Sequence, residues 1–473
     1  MIMRKTKIVC TLGPATESPE MIKKLIIAGI DVARLNFSYG KEVYHGTLIK
    51  KVKTISRNLE KVVAILQDLA GPKIRIGKLP NPVTLHQGDV ILLTGQKKSD
   101  KRRISISHPH VLEYLTEGDV IYLADGSIKL RVIETDDGEV TTEVLEGGVL
   151  SSYKGVNLPN IPFEIDPITE KDKKDLKFGL EKGVDWVAMS FVRSGKDVKE
   201  LKDIMEEYAR KAPVIAKIEK SEAVDNLKEI LKVADGIMVA RGDLGVEIPL
   251  EDIPIVQKRA IKMANKMGKP VITATQMMKS MVVQPHPTRA EVTDIANAVL
   301  DGTDAVMLSE ETAMGKYPVE AVRMMDRTIR QAENIFPYLE QYTPEDTTES
   351  IAYSAAILSM ELDIDAIISF TRTGTSAFQI SRYRPPVPIL IAAHDEITLR
   401  KFSLVWGCIP LISIPADRNF ESVVADIVKE GLRKGIIRED GDIIIISGFP
   451  FGVPGTTNTI KVLKVPEALN KTI

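Results

Sequence analysis

Apolar and polar positions fall into blocks along this chain. Eight short apolar runs stand out: Lys7–Gly13, Val32–Ser38, Val63–Leu69, Trp186–Val192, Pro213–Glu219, Gly236–Gly242, Pro270–Gln276 and Ala305–Glu311. Each is followed by a segment with the period of an amphipathic helix. Apart from one long gap, successive runs begin roughly 23 to 35 residues apart, the length of a strand-plus-helix unit. Local signals mark the helices. Ser18 can cap the first, Pro19 suits its first turn, Leu25 and Ile26 lie on its apolar side, and Gly29 ends it. Thr169 and Gly183 bracket another in the same way. Eight parallel strands alternating with helices predict a (β/α)8 barrel, a TIM barrel, not an open sheet.

The gap between the third and fourth runs has a different texture. Strand-like segments Val90–Leu93, Arg103–Ser107 and Val120–Leu123 are punctuated by Gln87-Gly88-Asp89, Asp125-Gly126 and Asp137-Gly138, which read as hairpin turns. A small all-β domain is expected, inserted between the third strand and its helix. After a linker around Tyr342–Ser350, apolar runs Ala366–Phe370, Pro388–Ala393, Cys408–Ile414, Asp442–Gly448 and Thr459–Val465 alternate with helices. They predict a C-terminal α/β domain whose last two strands form a hairpin. The expected division is barrel over 1–71 and 166–342, β domain over 72–165, and α/β domain over 343–473.

Composition narrows the function classes. The length of 473 residues suits about three domains. Lys plus Arg is 63 and Asp plus Glu 65, a net charge of −2, so nothing favours gripping a polyanion and no nucleic-acid partner is expected. No apolar run approaches the roughly 18 residues of a membrane span. The basic N-terminus is followed only by Ile8–Cys10 before Thr11, too short for a secretory signal. A cytoplasmic location without membrane contact is expected. Cys10 and Cys408 sit in apolar runs and read as buried and inert; the six histidines show no metal-ligand spacing, and most read as surface residues.

Barrel chemistry lies at the C-terminal ends of the strands. Those ends offer Arg34, Asn36 and Ser38 on one face of strand two, Asp68 on strand three, and Lys217 and Glu219 on one face of strand five. They also offer Arg241, Gly242 and Asp243 on strand six, Thr275 and Gln276 on strand seven, and Ser309 and Glu311 on strand eight. Glu219 and Asp243 on adjacent strands can hold a divalent cation, with Lys217 as a fixed positive charge and Arg34 as a planar grip for a phosphoryl group. The set suits phosphoryl transfer or enolate stabilisation; a structural salt-bridge layer inside the barrel is the plainer alternative. In the C-terminal domain, Thr371-Arg372-Thr373-Gly374-Thr375-Ser376 lies between a strand and a helix, as either an anion site or an ordinary capped turn.

The segments RKTKIVCTLGP (Arg4–Pro14), ARLNFS (Ala33–Ser38), GPKIRIG (Gly71–Gly77), KGVNLP (Lys154–Pro159), IAKIEK (Ile215–Lys220), MVARGDLGVEIP (Met238–Pro249), PVITATQM (Pro270–Met277) and RAEVTDIANAVLD (Arg289–Asp301) occur in that order. Together they resemble the pyruvate kinase family over essentially the whole chain. The resemblance implies conversion of phosphoenolpyruvate and ADP to pyruvate and ATP beneath a β lid, with a regulatory α/β domain and usually a homotetramer. It implies Mg2+ (or Mn2+) on Glu219 and Asp243. Lys217 would stabilise the transition state and enolate, and Arg34 would contact the transferring phosphate. Gly242, Asp243 and Thr275 would lie at the substrate, and Thr275 near the site of enolate protonation. Arg75, Lys154 and Asn36 would lie on the nucleotide side, and Thr371–Ser376 would take a phosphorylated effector.

The resemblance also bears on monovalent cations. Asn36, Ser38, Asp68 and the carbonyl of Leu69 match the K+ site of many members, but Lys73, with Leu69, Ala70 and Ile76, is similar to the K+-independent subgroup. K+ is therefore not expected to be required. Two positions depart from the usual pattern, Tyr39 where many relatives have His and Glu310 where Gly is usual. A barrel lyase or aldolase acting on the same enolates would share the Lys, Arg and carboxylates, but would have no need of a second phosphate-bearing substrate beside Arg75 and Lys154. A ligand-sensing relative without catalysis would be expected to lose Lys217 or a carboxylate.

Overall fold

The computed structural model describes residues 3–96, 99–100, 102–159, 161, 165–414, 418–449 and 457–470. The outermost ends assigned to the first and last domains, 1–2 and 471–473, lie outside the described residues. The eight barrel runs become strands Lys7–Thr11, Val32–Asn36, Ala64–Asp68, Trp186–Met189, Val214–Ile218, Gly236–Ala240, Val271–Ala274 and Ala305–Leu308. They close into one parallel barrel in chain order, the first strand pairing with both the second and the last. Strands buried on both faces read as continuous apolar runs, which is why the pattern locates all eight. The first helix is Pro19–Ala28, with Ser18 accepting from the Met21 amide and Gly29 at φ +118°. Thr169 and Asp172 form a capping box before helix Glu170–Lys182, which Gly183 ends at φ +70°.

Several boundaries differ from the sequence expectation. Strand six stops at Ala240 and strand eight at Leu308, because Arg241–Glu247 and Glu310–Ala313 coil into short helices. Strand seven stops at Ala274, and Thr275 and Gln276 turn left-handed at φ +69° and +57°. The linker before the last domain ends sooner than expected. Asp346 accepts from the Glu349 amide and starts helix Thr347–Glu361, a cap that the polar composition of the segment obscures.

The inserted domain carries a six-stranded sheet and a two-stranded one. Asp137 and Gly138 (φ +39° and +76°) form the tight turn between Ile128–Asp136 and Glu139–Glu146, and Asp125-Gly126 turns between Val120–Leu123 and Ile128–Asp136. Gln87-Gly88-Asp89 is not a hairpin. It links Val83–Leu85, paired with Gly148–Leu150, to Val90–Thr94 in the larger sheet. A turn signal fixes a chain reversal but not the partner of either strand.

In the C-terminal domain, strands Ile364–Thr371, Ile389–Ala393, Cys408–Ser413 and Asp442–Gly448 are parallel, and Thr457–Lys464 pairs antiparallel with the fourth. This domain forms the floor of the barrel. Leu404 and Phe378 pack into the barrel's interior cluster beside Trp186 and Ile215. Lys7, which opens the first barrel strand, donates to the Cys408 carbonyl (2.6 Å), and Trp186, which opens the fourth, donates to that of Lys401 (3.1 Å). Arg384, 1% exposed, bonds both carboxylate oxygens of Asp304 (3.0 and 3.1 Å) and the Asn265 side chain (2.6 Å), and lies over the Trp406 ring. Removing one member of a buried ion pair costs about 3–5 kcal/mol. Arg384→Ala is expected to lower the melting temperature and open the floor to protease; an unchanged melting curve would refute the role given to this contact.

Both cysteines are buried and free, and burial pushes the Cys408 thiol up to about 12. Met277 and Met278 are core residues. His45 is the exception among histidines that are mostly at the surface, as expected. It is buried, stacked on Phe37 at 3.9 Å, and donates from Nε2 to the Tyr39 carbonyl (2.7 Å), supporting the loop after strand two from beneath.

Candidate active site

The ends of strands two, three and five converge on a buried set of charges. Arg34 donates from Nε to Asp68 (2.6 Å) and from Nη1 to the Thr11 hydroxyl (2.8 Å). Lys217 lies 2.7 Å from Glu219 and 3.4 Å from Asp68, and donates to Ser190 Oγ (2.7 Å). Both cationic side chains are about one-tenth exposed and both carboxylates 1%. Burial favours the neutral form of Asp68, but Lys217 and Arg34 outweigh it and hold its carboxyl below the ordinary value. Burial likewise opposes the Lys217 ammonium, but Asp68 and Glu219 keep its pKa above the usual lysine range. The lysine is therefore a permanent charge at the barrel mouth.

Glu219 is different. Burial and then the neighbouring Asp243 raise its carboxyl, with Lys217 and the Phe191 amide (2.8 Å) opposing. Two hard carboxylates that repel one another just beyond the ends of adjacent strands are a donor set that a divalent cation would satisfy. Among the described residues no three His, Cys, Asp or Glu side chains converge to hold a metal by themselves, so substrate oxygens and water would supply the other ligands.

The short helix Arg241–Glu247 brings Gly242 and Asp243 to this rim. The Gly242 amide donates to Thr275 Oγ1 (2.7 Å), and Arg241 donates to the Thr275 carbonyl (2.8 Å) and pairs with Asp294 (2.7 Å). Thr275 is thus held in its left-handed conformation from the Gly242 side. Glu311, read as a strand-end candidate, instead accepts from the Met278 and Ser309 amides (3.1 and 2.8 Å) and shapes the loops. Glu310 is exposed and paired with Lys279.

The lid supplies the opposite wall. Lys73 Nζ lies 3.4 Å from Asp243 on the barrel and 3.4 Å from Asp125 on the lid. Burial opposes its charge, but Asp243, Asp125 and Glu219 raise its pKa. Arg75 is bridged to Gly155 and donates to the Tyr153 carbonyl (3.1 Å), which sets it beside Lys154, whose side chain is exposed. Of the expected monovalent-site groups, Asn36 Oδ1 accepts from the Ser38 amide (3.0 Å) and the Leu69 carbonyl from Ser190 Oγ (2.8 Å). Thr371–Ser376 lies apart, in the C-terminal domain. There Gly374 (φ +103°) donates to Thr371 Oγ1 (2.8 Å), and the Thr373 and Thr375 hydroxyls meet at 3.1 Å before helix Thr375–Arg382.

Sequence reasoning missed Thr11 and Ser190, which orient Arg34 and Lys217. Both stand at strand ends, the position that marked the others, but carry neutral hydroxyls that drew no attention among the charges.

The arrangement can hold a phosphorylated acid, carry developing negative charge on fixed cations and enclose it beneath a lid. Comparison with known proteins agrees. A family model described as "Pyruvate kinase, barrel domain" matches residues 3–322, and "Pyruvate kinase, alpha/beta domain" matches 349–463. The chain is 42% identical to a pyruvate kinase of Sporosarcina psychrophila, over 99% of this chain and 81% of that protein. It is 44% identical to pyruvate kinase 2 of Synechocystis sp., over 99% and 80%. The corresponding figures for a pyruvate kinase of Geobacillus stearothermophilus are 42%, 99% and 81%. With kinship running through barrel, lid and C-terminal domain alike, this chain belongs to the pyruvate kinase family.

Proposed function

We infer that this enzyme transfers the phosphoryl group of phosphoenolpyruvate to ADP and protonates the resulting enolate to pyruvate. The observation that carries the reading is the intact charge set around Lys217 in a chain of this family, where loss of catalysis would be expected to remove the lysine or a carboxylate. Pyruvate formation from phosphoenolpyruvate with Mg2+ should require ADP and yield ATP. Pyruvate formed without ADP would favour the lyase reading, and no pyruvate at all would refute catalysis.

The roles follow from placement. Arg34, fixed by Asp68 and Thr11, presents its remaining donors to the phosphoryl oxygens. As the bond from phosphorus to the enol oxygen breaks, the Lys217 ammonium stabilises the charge on both fragments without having to reorganise. Backbone near Gly242 and the Thr275 hydroxyl would hold the substrate carboxylate, with Thr275 near the carbon that takes up the proton. Glu219 and Asp243 would hold Mg2+ (or Mn2+), which when bound neutralises phosphoryl and carboxylate oxygens. Arg75 and Lys154, with Asn36, would form the nucleotide side.

The Lys73 ammonium stands close to Asp243, in place of a mobile cation, and on that ground the enzyme is read as independent of K+. A homotetramer fits the apolar residues left exposed on the barrel, such as Leu250 (70%) and Ile255 (66%). A cytoplasmic location belongs to the same reading, and no described helix is long and apolar enough to cross a membrane.

The Thr371–Ser376 loop is read as the seat of a phosphorylated effector, a sugar monophosphate or AMP. Arg372 is the one basic residue within it, which disfavours a bisphosphate. Titration with these ligands should shift phosphoenolpyruvate half-saturation, and Gly374→Asp should abolish the shift. A carboxylate there would repel the phosphate, and Phe378 and Phe402 already lie 3.1 Å from a Cβ at this position. If no ligand moves the half-saturation, the loop is only a capped turn.

A further inference from the structure

Where the lid rejoins the barrel, a buried carboxylate is shared between them. Glu247 closes the short helix that begins with Arg241, Gly242 and Asp243, and its side chain is 1% exposed. Its Oε2 lies 2.8 Å from the ammonium of Lys220, the residue after Glu219. Its Oε1 accepts from Nδ2 of Asn157 at 3.1 Å. Asn157 belongs to the lid strand Val156–Asn157, three residues beyond Lys154, and is itself buried. The lid rests on the same helix one residue earlier, since a Cβ on Gly126 would lie 3.3 Å from Val246.

One oxygen of this carboxylate thus bonds the barrel and the other the lid. Both barrel partners directly adjoin the carboxylate-bearing segments: Lys220 follows Glu219, and Glu247 ends the helix of Asp243. On the lid side, Asn157 lies two residues beyond Gly155, whose bridge to Arg75 aligns the nucleotide-facing cations. The carboxylate keeps both bonds only while the lid is seated, and a buried acceptor stripped of its donor is unfavourable.

We propose that Lys220, Glu247 and Asn157 form a latch that seats the lid over the barrel mouth, with Glu247 and Asn157 as positioning residues for phosphoryl transfer to ADP. The proposal rests on the functional reading above. A loosened lid displaces Lys73, Arg75 and Lys154 relative to the barrel, while Arg34, Asp68 and Lys217, all on barrel strands, stay in place. Its loss therefore acts on ADP far more than on phosphoenolpyruvate. It also admits water, which takes the phosphoryl group so that phosphoenolpyruvate plus water gives pyruvate plus phosphate.

The test is a polarity exchange in the full-length enzyme. Asn157→Asp sets a second carboxylate against Glu247 and should raise the KM for ADP at least about tenfold, the scale of losing a charge-assisted bond. The KM for phosphoenolpyruvate should stay within about twofold, and pyruvate formed per ATP should rise above one. Adding Glu247→Gln turns the bond around, with the Gln amide now donating to Asp, and should bring the ADP KM back to within about threefold of wild type. Unaltered ADP KM in Asn157→Asp, an equal rise for both substrates, or no recovery in the double variant would each overturn the latch. If Asn157→Asp does not fold, Asn157→Ala must show the same split between substrates. Wild type assayed alongside separates the two readings: without ADP-dependent pyruvate formation the function itself fails, whereas an active wild type with an indifferent Asn157 variant refutes the latch alone.

Discussion

Replacing Lys217 by Met is expected to cut kcat at least roughly a thousandfold, as removal of a preorganised charge from a transition state does. Phosphoenolpyruvate binding should change far less, because Arg34 keeps its bonds to Asp68 and Thr11. The variant should fold. Asp68 retains Arg34, and Glu219, already pushed toward its neutral form by burial and by Asp243, can take up a proton. Steady-state kinetics combined with a direct measurement of phosphoenolpyruvate binding checks this. A variant that binds the substrate and keeps more than about a tenth of wild-type kcat would remove Lys217 from the reaction.

Near-full activity is expected with Mg2+ in tetraalkylammonium buffer, without K+ or NH4+, and Lys73→Glu should make the enzyme depend on K+. The reasoning is charge replacement. The Lys73 ammonium is tethered 3.4 Å from Asp243, largely buried, and kept protonated by Asp243, Asp125 and Glu219 against the cost of burial. A K+ beside it would meet like-charge repulsion. Glutamate at 73 would instead place a third carboxylate near Asp243 and Glu219, and a monovalent cation would be needed to offset it. Activation of wild type by more than about fivefold on adding K+ would sink the idea, since a permanently supplied charge leaves no such gain. Activity of Lys73→Glu that ignores K+ would do so equally.

The sequence disclosed what depends on local pattern. Barrel strands were legible because a parallel strand buried on both faces has no polar alternation, and helix starts because Ser18 and Thr169 are strong caps. Their ends were less so. Gly242 and Glu311 continue apolar runs, and only the completed fold shows the chain coiling before them. Of the site, the charged members were visible because strand ends are where barrels keep chemistry, and charges there are conspicuous. Thr11 and Ser190 were not, because a hydroxyl is equally at home in a strand. The left-handed turn at Thr275 was beyond reach, since it is imposed by Arg241 and Gly242 from the short helix after strand six. The supports of Lys73 and Glu247 escaped for the same reason: Asp125 and Asn157 are distant in sequence and meet them only when the lid is seated.

The floor that the C-terminal domain gives the barrel limits how such a protein can be recombined. Leu404 fills the barrel's interior from below and Arg384 neutralises Asp304, so a barrel cut free near residue 342 would expose an apolar hole and a buried anion at once. Chimeras that exchange this domain among relatives must therefore carry matching floor residues, however distant the crossover lies from the catalytic rim. Inheritance across that boundary is of a fitted pair, and a regulatory domain acquired from elsewhere would first have to serve as the bottom of a barrel.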